Sequence, residues 1–405
     1  MKPYFQPPRV LFVLESVFPK RGGGGAEAQV LTLAHRMRTL GIDVAVIAPM
    51  VPDGPQRASD DVGGVPVRRI AYPKVPMVGA AIMLLRLMRI LVRERRNTVA
   101  IHAHIAHNMA SVCCVTGRLL GTPVIVKLTG FHEISGGILD SDAGLPSRLR
   151  RHALRRATYV QATSGRISSL LRDAGFADAQ IRRISNAVDI DRLAKAPEKV
   201  DRDSIRGGAA RVGIYVGRLA PEKGLEHLLR SWKAALDRRR DIRLVLVGDG
   251  PLRNELEQMA RDLHIHDALW FAGHTDEVGD YLHAADFAIL PSLSEGLSNA
   301  MLEAMAAGLP MLGSRVSGTE DFVVPGETGW LFEPGDEAGL ASRLAEIADM
   351  APDTLRAMGA RAQASVAGAA SIDAVVRQLL TLYGLDRIAE QPLGARAAGH
   401  HPEGT

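Results

Sequence analysis

The sequence is poor in cysteine, in aromatic residues and in long apolar runs. Its two cysteines, at positions 113 and 114, are adjacent and cannot join distant segments, as is usual in a reducing compartment. Aromatic residues make up 4% of the chain and no nucleic-acid-binding motif occurs, which argues against nucleic acid as a partner. The longest apolar stretch, 78–92, is interrupted by Arg86 and Arg89, so it does not predict a membrane span. The first apolar run is too short for a signal peptide, and together these absences predict a cytoplasmic protein.

The chain as a whole carries little net charge, but each of its halves carries a large one. The 405 residues carry a net charge of +4, which excludes a strongly basic nucleic-acid arm and an acidic disordered chain. Residues 1–185 contain 26 Lys and Arg against 12 Asp and Glu, a net charge of +14. Residues 186–405 contain 23 against 33, a net charge of −10. A basic half and an acidic half predict domains that face different ligands.

Short β-branched runs alternate with helical patterns along the whole chain, which predicts parallel sheets covered on both faces. The polar, strand-free segment 189–208 predicts a linker. We therefore predict an α/β protein with two Rossmann-like doubly wound domains, 1–188 and 209–385, that face a cleft, and a disordered tail over 386–405. Ligands of such sheets bind beyond the carboxyl ends of the strands. The predicted strands are 9–14, 43–48, 65–70, 99–102, 124–128, 159–162, 181–185, 212–216, 243–247, 269–272, 287–291 and 311–314.

A glycine-rich loop follows the first predicted strand. Residues 21–27 read RGGGGAE, and the glycines let backbone N–H groups approach a ligand at the start of a helix. The spacing matches neither a Walker loop nor the GxGxxG fingerprint. The loop, with Gly24 and Gly25, is a candidate anion- or sugar-binding element, and a mobile surface loop is the alternative.

Two cations stand in the loop after the first strand of the second half. Residues 217–224 read GRLAPEKG, with Arg218 and Lys223 on either side of a Pro-Glu turn. Arginine can bind a pyrophosphate bidentately and lysine can bind it as a point charge. The pair therefore predicts a diphosphate site, and two solvated loop cations are the alternative.

Two carboxylates bracket the segment SEGLSNAMLE at 294–303. Glu295 lies in a loop, and Glu303 follows on a helix among apolar neighbours, where an idle charge is costly. Eight residues rotate about 80° around a helix, so both carboxylates can face one site. They could accept sugar hydroxyls or form a glycosidase-type acid/base pair; a helix cap and a surface charge are the alternatives.

Together these segments resemble the GT4-type retaining glycosyltransferases of the GT-B fold, over about residues 9–385. The matching segments are Gly217-Arg218-Leu219 with Glu222-Lys223-Gly224, Ser294-Glu295-Gly296 with Glu303, Asn186-Ala187-Val188-Asp189, and Gly24-Gly25-Ala26-Glu27, which is similar to the family's GGxE loop.

The resemblance implies roles for these residues. Arg218 and Lys223 would bind the donor diphosphate and stabilise its departing charge, while Glu295 would hold the donor sugar. Glu303 would hold the nucleotide ribose. No protein nucleophile, metal or other cofactor is expected, because the acceptor hydroxyl attacks the face that the diphosphate leaves. The remaining donor-binding candidates are Gly24, Gly25, Gly217, Gly296, Leu297 and Ser298.

One segment departs from the family pattern. Relatives often carry His-Gly after the fifth strand, where this chain has Thr129 and Gly130, with a histidine only at His132. Whether His132 takes the place of the family histidine stays open. We count His132 as a catalytic candidate and Thr129 and Gly130, together with Glu27, as acceptor-binding candidates.

Three histidines, His102, His104 and His107, follow the fourth predicted strand. A zinc site is conceivable there, but no cysteine or carboxylate lies in the immediate run to complete it. We predict instead that His104 lines the acceptor site.

Two arginine clusters make the first half basic. Segment 83–96 carries five arginines and segment 148–156 carries five more. Each cation near an anionic leaflet contributes on the order of 1 kcal/mol, so the clusters predict peripheral binding to the inner face of the cytoplasmic membrane or to an anionic acceptor. An amphipathic helix packed on its own sheet is the alternative.

The sequence thus predicts a retaining glycosyltransferase of cell-envelope polysaccharide synthesis. It would move a sugar from a UDP- or GDP-linked donor to a hydroxyl of a lipid-linked, oligosaccharide or polysaccharide acceptor. A nicotinamide-dependent oxidoreductase is an alternative because of Gly248-Asp249-Gly250-Pro251, although the third glycine of the dinucleotide fingerprint is missing. An inactive sugar-nucleotide-binding protein is another.

Overall fold

The computed structural model describes residues 7–19, 24–128, 130, 144–195 and 201–390. The chain divides into two compact units: unit 1 comprises residues 1–187 and 372–405, and unit 2 comprises residues 188–371. None of the described helices is long and apolar enough to cross a membrane.

Unit 1 is built on an eight-stranded sheet with the order β3-β4-β2-β1-β5-β6-β7-β8. All neighbouring strands are parallel except β3, which pairs antiparallel with β4 at the edge. The strands are β1 (Arg9–Val13), β2 (Asp43–Pro49), β3 (Ser59–Val62), β4 (Val65–Ile70), β5 (Thr98–Ala103), β6 (Val124–Leu128), β7 (Tyr159–Ala162) and β8 (Ile181–Arg183). The helices, numbered in chain order, are α1 (Gly25–Thr39), α2 (Val78–Glu94), α3 (Asn108–Leu120), α4 (Leu145–Leu154), α5 (Gly165–Asp173), α15 (Ile372–Leu382) and α16 (Asp386–Ala389).

The core of unit 1 lies on both faces of this sheet, because its strands are apolar on both sides. One apolar cluster joins the sheet to α2, α3, α4 and α5, and the other joins it to α1 and α15. All five residues of β6 are buried, as expected for a central parallel strand.

The C-terminal segment is placed differently from the prediction, which ended the second domain at 385. The structure assigns residues from 372 onward to unit 1. Val376 and Leu380 of α15 are fully buried in the core beside α1. Arg36 of α1 binds both carboxylate oxygens of Asp373, at 2.6 and 3.1 Å.

Two other predicted segments are also ordered differently. The segment 189–208, predicted as a linker, contributes two short helices to unit 2, and Leu193 and Ile205 are buried in its core. Residues 386–389, predicted as part of a disordered tail, form α16 with Ala389 buried. Residues 391–405 lie outside the described part of the chain.

Unit 2 is built on a six-stranded parallel sheet with the order β11-β10-β9-β12-β13-β14. The strands are β9 (Arg211–Val216), β10 (Ile242–Val247), β11 (Leu269–Gly273), β12 (Phe287–Leu290), β13 (Met311–Ser314) and β14 (Gly329–Phe332). The helices are α6 (Ile190–Leu193), α7 (Arg202–Arg206), α8 (Leu225–Leu236), α9 (Arg253–Asp262), α10 (Val278–Ala284), α11 (Asn299–Ala306), α12 (Thr319–Phe322), α13 (Glu337–Asp349) and α14 (Pro352–Ala370). Apolar clusters cover both faces, so unit 2 is also doubly wound.

Candidate active site

The candidate site of unit 2 lies where the strand order of its sheet reverses. β9, the first strand, pairs with β10 on one side and with β12 on the other. The loop 217–224 follows β9 and the loop 291–298 follows β12, so both lie at the carboxyl edge of the sheet. Ligands of doubly wound sheets bind at this switch point.

An ion pair joins these two loops. Lys223 Nζ donates a hydrogen bond to Glu295 Oε2, and both side chains are largely buried, at 18% and 17% exposure. Ser292 Oγ donates to the same carboxylate oxygen at 3.3 Å. A cation and a carboxylate predicted from separate motifs are therefore in direct contact.

The backbone holds the two loops against each other. Leu293 N–H donates to the Glu222 carbonyl at 2.9 Å. Gly224 has a φ of +64°, and a Cβ at this position would lie 2.3 Å from the Pro291 carbonyl oxygen. Only glycine combines this backbone conformation with so close an approach, so the last residue of the GRLAPEKG motif is required for the docking of the loops.

Arg218 has a fixed backbone and an exposed side chain. Its carbonyl accepts a hydrogen bond from the buried Tyr215 hydroxyl at 2.9 Å. Burial raises the pKa of Tyr215, so that hydroxyl stays protonated as a donor. The guanidinium is 62% exposed and pairs with Glu222. An exposed cation on an anchored backbone can reach a ligand without any rearrangement of the loop.

Glu303 is a partly buried carboxylate on α11. The helix begins beyond Ser298, whose Oγ accepts the Met301 N–H at 3.3 Å. Burial raises the pKa of Glu303 to about 6, with the charge of Arg192 acting in the opposite direction. Among the described residues none donates a hydrogen bond to this carboxylate. A partly buried carboxylate with a raised pKa and no donor among the described residues is a candidate ligand-binding group.

The geometry of the two glutamates differs from the prediction. Glu295 lies four residues before α11 begins, so a helical rotation does not relate it to Glu303. The structure brings Glu295 to Lys223 and records no contact between the two carboxylates.

The other donor-loop candidates have structural partners. Gly217 N–H donates to the Val247 carbonyl at 2.9 Å, which ties the loop to β10. Gly296 and Leu297 lead into Ser298 at the start of α11 and pack closely against Gly318.

The glycines that suggested a dinucleotide site have a packing role. A Cβ on Gly250 would lie 2.3 Å from the Leu219 carbonyl oxygen. Leu219 N–H also donates to the Asp249 carbonyl at 3.0 Å. The loop after β10 is thus glycine-rich because it lies against the backbone of the loop that carries Arg218.

The structure places the unit 1 candidates at the start of α1 and in the sheet. Gly24 caps α1, Gly25 begins it, and the largely buried carboxylate of Glu27 accepts a hydrogen bond from Ser16. Gly130 is described, whereas Thr129 and His132 lie outside the described residues. Their acceptor and catalytic roles stay predictions.

His104 lies in a buried ring stack. Its ring centroid is 4.2 Å from that of His102, whose Nδ1 lies 2.6 Å from the Tyr383 hydroxyl. Neither ring nitrogen of His104 has a hydrogen-bond partner among the described residues. Burial and the nearby Lys127 lower the pKa of His102 to about 3, and burial lowers the pKa of His104 well below its usual value. In the described part of the chain no group of three or more His, Cys, Asp and Glu side chains is placed to hold a metal.

A polar network at the switch point of unit 1 was not predicted. Glu15 follows β1 and accepts the Met109 N–H at the start of α3 at 2.6 Å. Its other oxygen lies 2.9 Å from His107 Nδ1, and Arg150 Nη1 lies 2.7 Å from His107 Nε2. The position of Glu15, just beyond the first strand, is the signal that could have indicated it.

The chain is similar to known sugar-transferring proteins over most of its length. The family model described as "Glycosyltransferase Family 4" matches residues 23–192, and the one described as "Glycosyl transferases group 1" matches residues 210–350. Together they span more than half of the chain.

Curated relatives agree with these models. N-acetyl-alpha-D-glucosaminyl L-malate synthase of Bacillus anthracis is 27% identical over 72% of this chain and 76% of its own length. The 2-deoxystreptamine glucosyltransferase of Streptomyces kanamyceticus is 28% identical over 80% of this chain and 89% of its own.

A solved structure has the same fold. Anabaena HepE, crystallised in complex with UDP, superposes with a TM-score of 0.74 at 20% identity, over 93% of this chain and 99% of that one.

Proposed function

This chain belongs to the group 1 glycosyltransferases of the GT-B fold, and we propose that it transfers a sugar from a nucleotide diphosphate sugar to an acceptor hydroxyl with retention of anomeric configuration. The contact between Lys223 and Glu295 carries the proposal. It joins a cation and a carboxylate at the switch point of unit 2, where a ligand of this sheet binds. A cation stabilises the charge that develops on a departing diphosphate, and a carboxylate accepts hydrogen bonds from sugar hydroxyls.

In this proposal Arg218 and Lys223 bind the diphosphate. In the free protein each is paired with a carboxylate, Arg218 with Glu222 and Lys223 with Glu295. The donor phosphates replace these partners, and Glu295 turns to the sugar hydroxyls. Gly296, Leu297 and Ser298 contribute backbone N–H groups beside it. Because protein cations neutralise the leaving group, no metal and no other cofactor is part of the proposed reaction.

Glu303 binds the ribose of the donor. A ribose diol supplies the hydrogen-bond donors that this carboxylate lacks among the described residues. A diol donates hydrogen bonds to this partly buried, charged acceptor, whereas a simple phosphate offers it no such pair of donors, so the site favours a nucleoside.

The proposed chemistry keeps the anomeric configuration. The bond from the anomeric carbon to the diphosphate oxygen breaks, and the acceptor oxygen forms its bond on the same face of the sugar. The acceptor proton passes to the departing diphosphate. No covalent sugar–enzyme intermediate is needed.

Unit 1 binds the acceptor in this proposal. Its net positive charge suits an anionic acceptor, such as a lipid-linked or polymeric saccharide of the cell envelope. Glu27, Thr129, Gly130 and His132 remain the candidate contacts, whereas the fully buried ring of His104 is not presented to an acceptor. The cytoplasm, which supplies nucleotide sugars and suits the two buried free cysteines, is the proposed compartment.

A donor screen tests the proposal. The protein is incubated with UDP-, GDP- and ADP-sugars and with lipid and saccharide fractions, and nucleotide release is measured. We expect acceptor-dependent release with one UDP- or GDP-linked donor and a product of unchanged anomeric configuration by NMR. Release without transfer, or an inverted product, contradicts the mechanism, and no release with any donor contradicts the function.

A further inference from the structure

Helix α2 carries two apolar stripes, and only one of them is buried. Met83, Leu87 and Ile90 face the core of unit 1. The second stripe repeats at alternating intervals of three and four residues, which places its members on one side of the helix. The exposed stripe consists of Val78, Ala81, Leu85, Met88 and Val92.

The neighbouring helices extend this exposed apolar surface. α3 packs between α2 and α4 on the same face of the sheet. Leu119 of α3 is 81% exposed and lies one turn from the exposed Val115, and Leu149 of α4 is 61% exposed. We call the outer side of α2, α3 and α4 the three-helix face. An apolar surface shared by three adjacent elements is typical of an interaction site, unlike single exposed apolar residues.

The three-helix face is also strongly basic. The three helices contain seven arginines and one acidic residue, Glu94, which pairs with Arg9 at 2.7 Å. Arginines directly follow Leu85, Met88 and Val92 in the sequence, so cations border the exposed stripe. Six of the seven have no carboxylate partner in the part of the chain that the structure describes: Arg86, Arg89, Arg93, Arg118, Arg148 and Arg150.

We propose that the three-helix face binds the surface of an anionic lipid bilayer. The apolar stripe enters the boundary between headgroups and acyl chains, and the arginines reach back to lipid phosphates, since long basic side chains can bury their stems while the charge stays at the interface. Apolar insertion alone binds a protein to a membrane only weakly. Several cations added to it make the attachment stable.

The charge pattern favours a bilayer over other occupants. A second copy of the same face would bring two sets of arginines together without carboxylates between them, which is repulsive. An anionic polymer would use the arginines but would leave the apolar stripe in water. Only an anionic bilayer offers partners for both.

Vesicle sedimentation without donor or acceptor tests the proposal, so its outcome does not depend on the proposed transfer reaction. The full chain is mixed with vesicles of phosphatidylcholine alone or of phosphatidylcholine with phosphatidylglycerol. The charge variant combines Arg89→Gln, Arg93→Gln and Arg148→Gln. Its matched control combines Arg202→Gln, Arg238→Gln and Arg240→Gln, which removes the same charge from exposed positions of unit 2.

We expect binding to the anionic vesicles, weakened on the order of 100-fold in the charge variant, since each cation contributes about fivefold. The control should bind like the parent. Equal binding of the charge variant and its control, or no binding to anionic vesicles, overturns the proposal. Binding of polyuridylate or heparin in place of vesicles overturns it in favour of a polymer.

A second measurement reports insertion directly and does not depend on charge. Cys113 and Cys114 are buried, so a cysteine introduced by Leu119→Cys can be labelled selectively with an environment-sensitive fluorophore. Anionic vesicles should shift its emission to shorter wavelength and protect it from a water-soluble quencher. The exposed Val324 of unit 2 gives the control through Val324→Cys. Full quenching of the label at 119 in the presence of bound vesicles contradicts insertion of this face.

Discussion

Lys223 and Glu295, which are 72 positions apart in the sequence, form an ion pair between the loops after β9 and β12. Neither side chain is more than one fifth exposed, so the pair is screened less by solvent than a surface salt bridge. Each residue satisfies the charge of the other while the site is empty. A donor that binds both residues must break this ion pair. The two residues therefore act both in donor binding and in the proposed reaction.

Glu303 should make the protein less stable at neutral pH than a neutral side chain would. Its pKa is about 6 in the folded state, above the unfolded value of 4.5, so the folded state binds the proton more tightly. Stability from this group is therefore lost as pH rises through 6, by about 2 kcal/mol in total. Glu303→Gln should be more stable than the parent at pH 7.5 and similar at pH 4.5, as measured by urea unfolding. A difference that does not change with pH contradicts the burial of this carboxylate.

The same substitution should weaken nucleotide binding. Glu303→Gln replaces a charged acceptor of ribose hydroxyls with a neutral one, and we expect about a tenfold loss of affinity, since a hydrogen bond to a charged group is worth about 1.5–3 kcal/mol. In the parent, affinity should rise as pH increases through 6, because the ionised form is the better acceptor. Calorimetric titration across this range checks both, and unchanged affinity in the variant rules out the ribose role.

Tyr383 should stabilise unit 1 through His102. Tyr383→Phe removes the hydroxyl that lies 2.6 Å from His102 Nδ1 and leaves this ring nitrogen without its partner in a buried site. We expect the free energy of unfolding to fall by about 1–3 kcal/mol. Tyr281→Phe in unit 2 is the matched control, because the hydroxyl of Tyr281 has no hydrogen bond among the described residues. Equal stability of the two variants contradicts the coupling of the C-terminal segment to the sheet.

His104 should lower the free energy of unfolding of the protein at acidic pH. Burial lowers its pKa well below that of the unfolded chain, so the unfolded state binds more protons and stability falls as pH drops below about 6.5. His104→Leu removes a buried ring that has no hydrogen-bond partner in the described part of the chain, and the variant should lose less stability than the parent between pH 7 and pH 5. A parallel loss in both proteins contradicts this expectation. Transfer activity of the same variant separately tests the predicted acceptor role.

Most of the strand pattern could be predicted because parallel strands buried on both faces are short β-branched runs. Each predicted strand is present, and its ends differ by two residues or fewer. Two strands were missed: β3, whose polar sequence SDDV pairs only at an edge, and β14, a four-residue strand at the edge of the second sheet. The placement of α15 could not be predicted, since an amphipathic helix carries no information about which sheet it covers.

The sequence predicted the separate motifs of the site but not the contacts between them. The motif residues Arg218, Lys223 and Glu295 are identifiable because each follows a strand at the carboxyl edge of the sheet. Their contacts depend on which strands are neighbours, and the sequence does not state that β9 lies beside β12. The partner of Lys223 therefore could not be predicted from the sequence.

The value of kcat/KM for sugar transfer by Lys223→Gln tests the central claim most directly. Arg238→Gln, an exposed position of the same unit, serves as the control for loss of one charge. Removing one preorganised group that stabilises transition-state charge costs about 10²–10³ in rate. We therefore predict a loss of about this size in Lys223→Gln, with intact folding and parent-like activity in the control. Transfer by Lys223→Gln at the rate of the parent would contradict the role of the Lys223–Glu295 pair in the reaction.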